Sequence, residues 1–213
     1  MAQTAVAEAA VTRSTRDQVL DAAERLFAER GFTGVSMRDI VAETALKNQA
    51  SLYHHFRNKR ALYEAVLSRG VEHLTALVPE RGSGSAAAVN ANVDRMLDYL
   101  SEHPHLAQLI QRAALDDSRY MRRAVSSILR PVYAQARRAL AGTEAIWGED
   151  EVPHLAAGLY LLIFGYFANA GLIGTVVGQD PLSPQAIERQ RRFLKSAVAR
   201  LLGVNADGDE GRR

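Results

Sequence analysis

Asn48–Tyr63 reads NQASLYHHFRNKRALY. A run of small and polar residues leads into an aromatic and histidine cluster and three basic side chains, with no acidic residue among them. Asn48 and Asn58 are of the type that accepts hydrogen bonds from the first free N–H groups of a helix, so the stretch predicts one short helix and the start of another. In the short helix Leu52 and Phe56 are four apart and share an inward face. Gln49, Ala50, Ser51, Tyr53, His54 and His55 remain for other faces. Gln49 and Ser51 can hydrogen-bond to base edges or phosphates, Ala50 permits close approach, and the Tyr53 hydroxyl and the imidazoles are donors within phosphate reach. From Thr44 to Tyr63 there are four basic residues, Lys47, Arg57, Lys59 and Arg60, and still no carboxylate. Such a surface suits a polyanion.

Two further helices are predicted upstream. Ser14 and Asp17 have capping-box spacing, Val19, Ala23, Leu26, Phe27 and Arg30 share a face, and Gly31 supplies a stop. Ser36 and Asp39 open a second helix, MRDIVAET, with Ile40 and Val41 able to pack inward, and ALKN breaks before the third. A short helix, a turn and a helix whose first residues reach base edges are the parts of a helix-turn-helix reader.

Over Thr12–Val66 the strings AAERLFAERGFTGVSMRDIVAE and SLYHHFRNKRALYEAV resemble the DNA-binding domain of the tetracycline-repressor (TetR) family of bacterial transcription regulators. The resemblance implies an all-α fold of about nine helices, with an N-terminal three-helix reader and a variable C-terminal domain that dimerises and binds a small molecule. It also implies that Arg38 lies near bases, Gln49, Ala50 and Ser51 lie on the recognition helix, Tyr53 and His54 meet the phosphate backbone, and Lys59 meets a phosphate. Lys47 and Asn48 fall in the turn, where the family usually has a glycine and this chain reads ETALKNQ. Either Leu46 replaces that glycine, or Ala45 does and the turn gains a residue; a side chain at positive φ there would be strained. Other roles stay open: Arg38 can pair with Asp39 or Glu43, Tyr53 can be a core aromatic, and His54, His55 and Lys59 can be simply solvated.

Beyond the reader, Lys59 to Val78 reads as a fourth helix ended by Pro79, and ERGSGS, Glu80 to Ser85, as a loop. Helices are predicted over Ala86–Glu102, Pro104–Leu115 and Ser118–Ala141, with Pro131 bending the last and Gly142 stopping it. A long apolar helix from Pro153 to about Val177 and a final one from Pro184 to Leu202 follow. The division is a disordered arm over 1–12, a reader over 13–58, a helical effector-binding and dimerisation domain over 59–203, and a disordered tail over 204–213. Leu155–Gln179 has no charge and is long enough to cross a bilayer. Its glycines, Asn169 and lack of a flanking basic cluster favour a buried core or dimer helix instead.

The 213 residues are 47% hydrophobic with a net charge of +2, enough for a full core, so attraction to DNA must come from local charge. Without cysteine, disulfides, thiolate nucleophiles and cysteine-ligated zinc are excluded, which fits the cytoplasm. The His103–His105 pair and His54–His55 lack a third ligand, so no metal is expected. No phosphate loop, GxSxG turn or paired carboxylates suggest an enzyme, Asp116 and Asp117 reading as helix-start residues, and no cofactor is expected. The expected function is a ligand-responsive regulator, acting as a repressor, that binds a near-palindromic double-stranded operator. It would form a homodimer through helices 153–177 and 184–202. His73, Met96, Tyr99, Ile110, Tyr133 and Phe167 are candidates for contact with a small, largely hydrophobic effector. The alternatives are a constitutive DNA-binding dimer without effector, a membrane-associated helical protein and a helical enzyme.

Overall fold

The computed structural model describes residues 14–80, 85–115, 119–140 and 146–204, with the side chains of 119–125 and 128 left out. The predicted arm, most of the ERGSGS loop, Asp116, Asp117, Gly142 and all of the tail but Val204 lie outside the described residues. Among those described there are ten helices and no strand: α1 Thr15–Arg30, α2 Met37–Ala42, α3 Gln49–His55, α4 Lys59–Leu77, α5 Ala86–Glu102, α6 Pro104–Leu115, α7 Arg119–Leu140, α8 Val152–Ala168, α9 Ala170–Val177 and α10 Pro184–Leu201.

Local chemistry sets the starts of the first four. Side-chain oxygens of Ser14, Ser36, Asn48 and Asn58 accept from the backbone N–H three residues on, and at Ser36 the Asp39 carboxylate returns the bond in a full capping box. The Ser36 hydroxyl and N–H hold the Asp39 carboxyl below its ordinary value. Gly31 ends α1 at φ 71°, a left-handed conformation that glycine adopts without Cβ strain.

The α1, α2 and α3 helices pack through Val19, Phe27, Ile40 and Leu52, all fully buried, onto Leu62, Tyr63 and Val66 at the start of α4. Tyr63 meets Phe27 and Phe32 edge to face, 4.9 Å and 5.1 Å away between ring centroids. One core runs on without interruption into α5, α6, α8 and α10, so α4 is a member of both regions. Midway along α4, Gly70 lies so close to Leu106 of α6 that an added Cβ would come within 2.2 Å of Leu106 Cδ1.

The helix expected over 153–177 is two helices. It breaks at Asn169, and α8 and α9 diverge by 70°. At the break the Gly165 carbonyl accepts both the Asn169 backbone N–H at 3.1 Å and Asn169 Nδ2 at 2.8 Å, so the side chain adds a second bond to the last turn of α8. The Tyr166 hydroxyl donates to the Pro181 carbonyl at 2.7 Å and holds the returning loop against the bend. Among the described residues no single helix is long and apolar enough to cross a membrane, and only this bent pair reaches the length together. Pro131 sits inside α7, which continues through it.

Candidate nucleic-acid interface and effector cavity

Leu52 (fully buried) and Phe56 anchor α3 to the core and fix which side faces outward. That outward side carries Gln49, Ala50, Tyr53, His54 and His55, all exposed, with Lys47, Asn48 and Arg57 exposed beside them and Ser51 half-buried. Asn48 is occupied by its cap, its Oδ1 accepting from the Ser51 N–H at 2.9 Å and the Ser51 hydroxyl at 3.1 Å. The Gln49 amide reaches the Tyr53 hydroxyl at 3.4 Å, so the two lie side by side one helical turn apart. Tyr53 is 47% exposed, which places its ring outside the core.

The turn over 43–48 needs no glycine. Among the described residues, no side-chain-bearing residue has positive φ. The Thr44 hydroxyl closes the turn instead, donating to the Val41 carbonyl at 3.0 Å, while Leu46 packs against the core. Both carboxylates that the sequence offers to Arg38 are engaged elsewhere: Glu43 accepts from Arg25 at 2.8 Å and Asp39 caps α2. Arg38 is left exposed on the first turn of α2.

Lys59 is placed differently from the other cations. Its ammonium donates to the carbonyls of Phe32 and Val35, each at 2.8 Å, and lies 4.4 Å from the Phe32 ring centroid. Of three N–H donors, two are thus used within the protein, tying the start of α4 to the α1–α2 loop. Nothing in the sequence spacing signals those two carbonyl partners.

A second feature lies at the other end of α4. A cavity of about 270 Å³ is enclosed by the end of α4 and by α5, α7, α8 and α10, with Val93, Met96, Leu140, Phe164 and Val198 among its buried lining residues. Of the six residues expected to contact an effector, Met96 lines it. Ile110 and Phe167 are core, at 2% and 0% exposure, and Tyr133 is exposed on α7. His73 and Tyr99 stack at 5.7 Å away from the cavity, Tyr99 also meets His103 at 4.6 Å, and the Arg69 carbonyl accepts from His73 Nδ1 at 2.8 Å. Burial, then the Glu24 charge, push the Tyr99 phenol up to about 12, so it stays neutral. The sequence reading missed Asn92, Arg95 and Tyr160, which also line the cavity; the i,i+3 spacing of Asn92 and Arg95 beside Met96 was the one available signal.

Residues 19–66, the span from α1 to the first half of α4, match the tetR family of bacterial regulatory proteins. Over that segment the chain is similar to the TetR family. The biofilm operon icaADBC HTH-type negative transcriptional regulator IcaR of Staphylococcus aureus is 30% identical over 87 residues, 41% of this chain and 44% of that protein. The chain spans about half the length of the curated relatives it matches. The fold extends further than that similarity. The TetR family transcriptional regulator PfmR from Thermus thermophilus superposes with a TM-score of 0.65 at 17% identity, over 92% of this chain and 100% of that one. E. coli NemR in its reduced form superposes at 0.63 with 23% identity, over 91% and 100%. The chain therefore shares the all-α fold of these two solved proteins over most of its length. The family is one of DNA-binding regulators and not of enzymes.

Proposed function

We propose that the protein is a homodimeric, ligand-responsive transcription regulator acting as a repressor, which binds a near-palindromic operator and releases it when an effector fills the α4–α5–α7–α8–α10 cavity. The observation that carries this reading is the carboxylate-free outward side of α3, exposed and held in place by the Asn48 cap and the buried Leu52. Arg38, Gln49 and Ser51 read base edges, Ala50 allows approach, and Tyr53, His54 and Lys47 contact phosphates. Asn48 acts through its cap by orienting Ser51. Lys59 chiefly fixes the domain and has one N–H left for a phosphate.

Dimerisation is supported by apolar side chains that a lone chain leaves in water. Leu161 on α8, Leu172, Val176 and Val177 on α9 and Phe193 on α10 are between 53% and 77% exposed, and Gly158 and Gly165 have open space before them. Pairing these surfaces would bury them and place the two readers by two-fold symmetry.

The route from cavity to reader is α4. Val78, the residue that caps its C-terminal end, lines the cavity, and Gln135 of α7 donates to the Thr75 and Val78 carbonyls at 3.1 and 2.6 Å. Its first turns carry Lys59 and Tyr63. An occupant shifts the equilibrium only by binding the two reader spacings unequally. The test is operator affinity, measured by fluorescence anisotropy, for the wild type, Gln49→Ala and Lys47→Ala: altered base preference is expected for the first and a weaker, flatter salt dependence for the second. Identical, sequence-independent losses for both would overturn this division.

A further inference from the structure

Resting on the effector reading above, we infer that the cavity selects an anionic amphiphile: a medium-length acyl chain in the apolar interior with its acidic head held at the rim by Arg95 and Asn92 of α5. The interior is made by residues that cannot hydrogen-bond, among them Val93, Leu140, Ala156, Phe164 and Val198. The exposed lining residues are Pro79, Arg95 and Tyr160, which marks where the cavity meets solvent. The charged lining residue, Arg95, is therefore at the solvent-exposed boundary of an otherwise apolar interior, the distribution an amphiphile matches and a uniformly apolar or uniformly polar ligand does not.

The sign of the head follows from the charges. No carboxylate lines the cavity among the described residues. The acids nearest to Arg95 in sequence, Asp94 and Asp98, are both taken by α10: Arg191 meets Asp94 at 2.8 Å and Asp98 at 2.6 Å, and Lys195 meets Asp94 at 2.8 Å. Arg95 has instead a 3.4 Å contact from Nη2 to Asn92 Oδ1, a weak bond that leaves its planar fork able to take a carboxylate or phosphate by two parallel bonds. Arg69 and Arg191, by contrast, are each saturated by two or more carboxylates. Chain length follows from the volume: about 270 Å³ holds about nine groups of water size at ~30 Å³ each, which suits a chain of about ten carbons.

The shared chemistry is an acyl chain ending in an anionic group, and its source is either a free acid or a larger conjugate whose bulk stays outside. The experiment titrates the purified full-length chain by calorimetry with decanoate, decanoyl-coenzyme A, decanol and decylamine, each below its micelle concentration, and repeats this with Arg95→Gln and Met96→Trp. Operator release is recorded in parallel. Decanoate or its conjugate is expected to bind at least about tenfold more tightly than decanol and decylamine. Arg95→Gln should erase that preference while leaving decanol binding unchanged, and Met96→Trp should weaken every chain by filling the interior. The stronger of the two anionic probes identifies the source.

Equal binding of decanoate and decanol, or a preference that survives Arg95→Gln, overturns the anionic selection. So does the absence of binding by all four probes to a chain with normal thermal unfolding. If decanoate binds through Arg95 and operator affinity does not change, the site stands and the effector-release reading fails. If decanol releases the operator as well as decanoate does, the release reading stands and the head selection fails.

Discussion

The Arg69 guanidinium on α4 donates to the Glu24 carboxylate on α1 at 3.0 Å. The same guanidinium reaches Asp21 at 2.7 Å, and Glu24 is 8% exposed. A largely buried carboxylate without its cation bears a desolvation cost that no other contact offsets. This pair is thus the charged joint between the reader and the helix that leads to the cavity. Arg69→Ala should lower unfolding free energy by about 2 to 3 kcal/mol, below the fully buried range because Arg69 is partly exposed. Replacing Glu24 with Gln in the same chain should recover part of that loss. Urea denaturation checks both, and a loss within about 0.5 kcal/mol for Arg69→Ala would show that the joint carries no stability.

Lys59 gives a prediction that separates a structural cation from a phosphate contact. Removing it with Lys59→Ala leaves the Phe32 and Val35 carbonyls without a donor, so stability should fall by about 1 to 3 kcal/mol. Lys47→Ala removes an exposed cation and should leave stability unchanged, while reducing the salt slope of DNA binding by about one unit. Equal melting temperatures for the two variants would contradict the role given to Lys59.

At Gly70 two effects of opposite sign meet. Alanine raises helix propensity by about 1 kcal/mol over glycine, but its Cβ meets Leu106 Cδ1 at 2.2 Å and Leu106 is fully buried, with little room to turn away. Overpacking of this kind costs about 1 to 3 kcal/mol. Gly70→Ala should therefore destabilise the protein on balance in chemical denaturation, and a net gain would show that α4 and α6 separate easily.

The α5–α10 joint sets part of the acid sensitivity. Burial raises the Asp94 carboxyl, but bonds from Lys195 and Arg191 outweigh it and hold the group below its ordinary 3.8. A depressed carboxyl contributes stability that is complete above 3.8 and is lost as pH falls through the folded value. Wild-type stability should drop more steeply below about pH 4 than that of Asp94→Asn, in denaturation curves taken from about pH 5 down to 2. Parallel curves would remove Asp94 from the acid transition.

The elements that could be read in advance were those fixed by neighbours in sequence. Ser14, Ser36, Asn48 and Asn58 each cap a helix whose N–H lies three residues on, and Gly31 stops α1 by its own backbone freedom. The outward side of α3 was legible for the same reason, since Leu52 and Phe56 assign the inward one. The break at Asn169 was not, because it falls within a run that has no charge and no proline to mark a helix end. Met96 could not be told from Ile110 or Phe167 as a cavity residue. All three are apolar and buried, and only the packing of five distant helices decides which of them faces a void. The Lys59 carbonyl partners, 24 and 27 residues away, were hidden by the same distance.

Two copies of this reader are expected to recognise a symmetric DNA site. Selection of genomic fragments on the purified full-length protein at two salt concentrations, followed by sequencing, tests it most directly. A near-palindrome that persists at the higher salt is expected, with half-sites separated by about 34 to 36 Å along the duplex or a multiple of that. Retention of fragments without a common sequence, lost at the higher salt, would contradict it and leave only a basic surface.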